Sequence, residues 1–84
     1  MLDKLKQIAK LKAMQDQMKN EKFEVEREGI KIVVNGSLSI EEVILNPELD
    51  IERQARLVKD ITNEVIKKAQ MGMAQKLSGM GLGF

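Results

Sequence analysis

Residues 23–45, reading FEVEREGIKIVVNGSLSIEEVIL, constrain the fold more than any other stretch, because only there do β-branched residues and two-residue alternation dominate. Side chains on a strand alternate between faces, and a two-residue loop fixes which residues lie opposite one another. With Glu28 and Gly29 as that loop, Arg27 faces Ile30, Val25 faces Ile32 and Phe23 faces Val34. Phe23, Val25, Ile30, Ile32 and Val34 then share one side of a ribbon. On the other side Glu26 meets Lys31, a charge pair worth roughly 0.2–1 kcal/mol. A one-residue slip would scatter the apolar set over both faces, so this register is favoured. Asn35–Gly36, two residues that tolerate positive φ, mark a second turn leading into a third strand. In that strand Leu38 and Ile40 alternate in one phase, Val43 and Leu45 in the other. Either a β-bulge sits at Glu41–Glu42, or both faces of the sheet are partly covered, with Val33 and Ile44 lining the second face.

A chain of 84 residues forms one small domain and buries only roughly 60% of its unfolded surface. Cysteine and histidine are both absent, which removes disulfides and the usual zinc ligands as sources of stability. Oligomerisation is the remaining common solution, and a homodimer is expected. The absence of His, Cys, Tyr and Trp also removes the commonest catalytic bases and nucleophiles. Ser37 and Ser39 sit beside acids on a strand, as a solvated pair does. Gly79, Gly81 and Gly83 have no strand before them and no helix after them, so they form no phosphate loop. An enzyme, a cofactor, a metal site and a small-molecule substrate are all unexpected. No apolar run approaches the roughly 20 residues that span a bilayer, and no signal-peptide pattern is present. A soluble, cytoplasmic protein with no membrane partner is expected.

The net charge of +1 hides a marked segregation. Residues 1–22 carry Lys4, Lys6, Lys10, Lys12, Lys19 and Lys22 against Asp3, Asp16 and Glu21, a net +3. Residues 23–50 carry Arg27 and Lys31 against seven carboxylates, a net −5, and residues 51–84 return to +3. An acidic middle is flanked by two basic ends.

Those ends read as helices. Residues 2–20 are rich in Lys, Gln, Leu, Met and Ala, without Gly or Pro. Leu2, Leu5, Ile8, Leu11, Met14 and Met18 recur every three or four residues, a stripe suited to packing against another helix, while Lys6, Lys10 and Gln17 lie on the far side. Asn46–Pro47 closes the third strand. Asp50 is placed to cap a second helix from Ile51 to about Gln70. Its apolar face comprises Ile51, Ala55, Val58, Thr62, Val65 and Ala69, flanked by Ile61 and Ile66. Arg53, Arg56, Asp60, Glu64 and Lys67 lie opposite, with Lys59 and Lys68 at the margins. From Met71 the glycines at 72, 79, 81 and 83 argue against a rigid continuation. The expected organisation is a single α+β domain over residues 1–77, built as helix, three-stranded antiparallel sheet and helix, with a flexible Gly- and Met-rich tail over 78–84.

Over residues 13–84 the chain resembles the YbaB/EbfC family of small bacterial nucleoid-associated DNA-binding proteins. The resemblance rests on MQDQM at 14–18, IKIVVNG at 30–36, VILNPEL at 43–49, Leu57 and Val58, Asn63, Lys67–Lys68 and the ending LSGMGLGF. It implies a tweezer-like homodimer, helices projecting from a joined β core, that binds duplex DNA with low or modest sequence preference. Two features depart from the family pattern: the strand connection is cut to Glu28–Gly29, and Glu41 and Glu42 stand where basic or neutral residues are common. The basic helices, not the sheet, must then carry DNA binding. Lys4, Lys6, Lys10 and Lys12 lead the expected DNA-binding set, followed by Arg53, Arg56, Lys67 and Lys68. Phe23, Val25, Ile32, Val33, Val34 and Ile44 are the expected dimer interface. The alternative is a protein-interaction module acting through the Met-rich helix or the apolar tail, with DNA irrelevant.

Overall fold

The hairpin forms in the expected register. In the computed structural model, which describes residues 2–79, β1 (Lys22–Arg27) and β2 (Ile30–Asn35) pair antiparallel with Phe23 opposite Val34, Val25 opposite Ile32 and Arg27 opposite Ile30. Glu28 (φ 50°) and Gly29 (φ 84°) are both left-handed, the type I′ geometry whose twist matches that of the strands it joins. The non-glycine position in this loop is held from two sides. Asn46 Nδ2 donates to the Glu28 carbonyl at 2.8 Å, and the Arg53 guanidinium grips its carboxylate at 2.9 and 2.7 Å.

One detail of the ribbon differs from expectation. Lys31 stands opposite Glu26 in the ladder, yet its ammonium contacts the diagonal neighbour Glu24 at 3.1 Å. A long lysine stem reaches a diagonal partner as readily as the one directly across. The hydrogen bond and charge of Glu24 raise the Lys31 pKa above the ordinary lysine value.

β3 (Ile40–Ile44) pairs antiparallel with β2 and completes a sheet of order β1-β2-β3. The register shifts between Val33, which faces Glu42, and Val34, which faces Ile40. Glu41 is the extra residue, so the bulge is present. It also explains the change of phase. Ile40 and Val43, three residues apart, both fall on the side of the sheet that carries Ile32 and Val34.

The 35–39 connection is made differently from the expected turn. Positive φ falls on Leu38 (φ 64°), not on Asn35 or Gly36. Asn35 acts through its side chain, its Oδ1 accepting from the amides of Ser37 (2.9 Å) and Ser39 (3.2 Å). Gly36 is needed for closeness rather than for φ. Its amide donates to the Met18 carbonyl at 2.8 Å, and a Cβ there would lie 2.5 Å from that same oxygen. This contact seats the C-terminal end of α1 (Leu2–Asn20) at the end of the sheet.

α2 (Ile51–Gly79) covers β1 and β2 as the second layer. Asp50 caps it as expected, Oδ1 accepting from the Arg53 amide at 2.7 Å. Ile30, Ile32 and Val34 of the sheet meet Ile61, Val65 and Ala69 of α2, with Phe23, Val25, Leu49, Leu57 and Val58 around them. Each fully buried Ile or Val contributes about 1.5–3 kcal/mol.

The helix departs from its expected form in two ways. Its buried stripe runs Leu57, Ile61, Val65, Ala69, Met73, rotated from the expected one, and Ile51 is 83% exposed. It also continues nine residues past Gln70, through Gly72. Packing overrides propensity there: a Cβ at position 72 would lie 2.4 Å from Phe23 Cε1, so the ring occupies the space the glycine leaves, and Met73 is buried one residue on. Of the expected tail, Ser78 and Gly79 are the last residues of α2, and 80–84 lie outside the described residues.

Candidate nucleic-acid interface

α1 touches the rest of the chain through little more than its C-terminal end, and the molecule extends 57 Å along its longest axis. Lys4, Lys6, Lys10 and Lys12 are exposed on this projecting helix. None has an ion-pair partner among the described residues. At about 100° per residue, Lys6 and Lys10 share one face and Ile8 lies opposite them. Lys4 and Lys12 flank Ile8.

The basic residues of α2 divide into two groups. Arg53 is clamped to Glu28 in the hairpin loop, and Lys68 Nζ donates to the Glu24 carbonyl of β1 at 3.0 Å. Both are thereby engaged with the subunit's own sheet. Arg56 and Lys67 lie on the solvent face, opposite the buried stripe, with Asn63 and Gln70 between and beyond them. Lys59 belongs to this group and was absent from the expected set. The rotation of the buried stripe brings it outward, and its spacing from Arg56 and Lys67 in the sequence is the signal that could have found it.

The outer face of the sheet has a different character. Lys22 pairs with Glu41 and Lys31 with Glu24, while Arg27 meets Glu64 and Lys76 meets Glu21 at the sheet's margins. Exposed pairs of this kind contribute about 1 kcal/mol or less each. Their consequence is electrostatic: the cations of the sheet are matched, and the surplus left is acidic. A phosphate backbone finds its complement on α1 and on the outer side of α2.

The residues expected at a dimer interface also separate. Ile32 and Val34 are buried in the subunit's own core, with Phe23 and Val25 packed against it. Val33 and Ile44 lie on the other face of the sheet, where Val33 is half-buried and Ile44 exposed. Among the described residues no helix is long and apolar enough to cross a membrane, and no cluster of three or more acidic, His or Cys residues is placed to hold a metal ion.

A two-layer fold of helix, three antiparallel strands and helix, with unpaired lysines along a projecting helix, is that of a small binding protein for polyanions. The family model of the YbaB/EbfC DNA-binding family matches residues 1–84, and the chain belongs to that family. This places it among nucleoid-associated DNA-binding proteins. No match is found among curated proteins or among solved structures.

Proposed function

We propose that this chain acts as a homodimer that binds duplex DNA with low or modest sequence preference in the bacterial nucleoid, and so influences nucleoid organisation or gene expression. The observation that carries the reading is the match of the whole chain to a DNA-binding family, together with the unpaired lysines of α1. Phosphate contacts supply most sequence-independent affinity and position a protein without reading bases. No motif for base readout is present, which agrees with low sequence preference. Lys4, Lys6, Lys10 and Lys12 make the phosphate contacts, joined by Arg56, Lys59 and Lys67. Arg53 and Lys68 fall to a supporting role, because their side chains already hold α2 to the sheet. No step calls for a catalytic group or a cofactor.

The test is binding of the Lys6→Glu/Lys10→Glu variant to duplex DNA. These exposed positions lie far from the core, so the variant keeps the melting temperature of the wild type while losing affinity, about tenfold or more at moderate salt. Unchanged affinity would remove α1 from the interface.

A further inference from the structure

α1 has an apolar stripe with nothing beneath it: Leu5, Ile8 and Leu11 are 65%, 61% and 60% exposed. A helix of 19 residues with so little packing is only marginally stable in water. Elsewhere the chain has an apolar floor with nothing above it. Ile40 and Val43 of β3 are 53% and 47% exposed although they lie on the core side of the sheet. α2 is held over β1 by Arg53–Glu28, Arg27–Glu64 and Lys68–Glu24. Its opposite flank, carrying Ala55, Thr62 and Ile66, therefore faces the uncovered side of β3.

We propose that in the homodimer the α1 stripe of each copy docks on the uncovered β3 floor and α2 flank of the other, a reciprocal arm exchange. This rests on the dimer reading above and says which surfaces it joins. Three observations select a second copy as the occupant. One chain carries both halves of the contact, which is what a two-fold interface requires. Within a chain the halves stay apart, since α1 leaves the sheet at Gly36 and both surfaces remain exposed. Their charges are also complementary: α1 brings Lys4 and Lys12 on either side of Ile8, whereas residues 36–51 contain Glu41, Glu42, Glu48 and Asp50 and no base. Pairing of α1 with the partner's α1 as a coiled coil fits less well. Leu5, Ile8 and Leu11 step by three each time, winding about 60° round the helix per step, whereas a coiled-coil seam alternates three and four. In this arrangement Lys6 and Lys10 face away from the partner and stay accessible to phosphate.

The experiment is sedimentation of the full chain without DNA, over a concentration series. Ile8→Glu and Val43→Lys occupy exposed positions, and each alone weakens dimerisation about tenfold or more by placing a charge in an apolar contact. Combined in one chain they restore it, because each introduced acid then meets an introduced base across the two-fold axis. Circular dichroism of each variant at the same concentrations reports whether the subunit remains folded. A dimer indifferent to Ile8→Glu, a dimer that tolerates Val43→Lys, or a double variant no better than the singles would each overturn the exchange. A wild-type monomer would overturn the dimer reading with it, and DNA binding measured separately keeps the two outcomes distinct from the phosphate-contact reading.

Discussion

Single residues decide how closely the two layers approach. Gly72 lies in the interior of α2, where alanine ordinarily gains about 1 kcal/mol. Here the added Cβ would meet the Phe23 ring, which is part of the core margin, at 2.4 Å. Overpacking costs about 1–3 kcal/mol, so the clash wins. Gly72→Ala is expected to lower stability by about 1 kcal/mol, a fall of about 4–8 °C in melting temperature for a domain of this size. Adding Phe23→Leu should recover part of that loss despite the smaller side chain, a non-additivity visible in a double-mutant cycle. Lys31 offers a pH test. Its folded pKa is raised by Glu24, so the stabilisation is fully present below the unfolded lysine value and disappears as pH rises through the folded one. The difference in melting temperature between wild type and Lys31→Met should therefore be constant from about pH 7 to 9 and narrow above about pH 10.5.

At the scale of elements, the hairpin was legible and the second helix only partly so. Alternation plus a two-residue loop determines register locally, so every pairing from Phe23–Val34 to Arg27–Ile30 could be read from the chain. The bulge was visible as a change of phase between Ile40 and Val43. The continuation through Gly72 was not visible, because it depends on a ring 49 positions earlier in the chain filling the space the glycine leaves. The rotation of the buried stripe was hidden for a related reason. Ile51 and Ala55 are apolar, but the sheet is too narrow on that side to cover them. The basic candidates were easy to list from charge alone. Which of them are engaged within the subunit depends on contacts such as Arg53–Glu28 and Lys68–Glu24, spanning 25 and 44 residues, that no local pattern reports. A prediction separates the two groups on α2. Arg53→Ala should reduce stability by about 1 kcal/mol or less and leave DNA affinity nearly unchanged. Arg56→Glu/Lys67→Glu should do the reverse, measured by thermal melting beside DNA titration.

For the whole molecule, the charge distribution and the architecture give one account. The acidic sheet lies at the centre with its cations paired internally, and the unpaired cations sit on α1 and on the solvent face of α2. A dimer built on the sheet doubles the basic surfaces and keeps the acidic one off the duplex. The alternative of an interaction module draws on a real feature, the exposed Leu5, Ile8 and Leu11, which the arm exchange assigns to the second copy. The most direct test of the central claim is the dependence of duplex binding on salt, measured for two duplexes of unrelated sequence. The account predicts that log K falls linearly with log salt for both, with similar slopes of about −0.9 per phosphate contacted, and that Lys6→Glu/Lys10→Glu makes the slope shallower. Binding that is undetectable, or that does not change with salt, would contradict it.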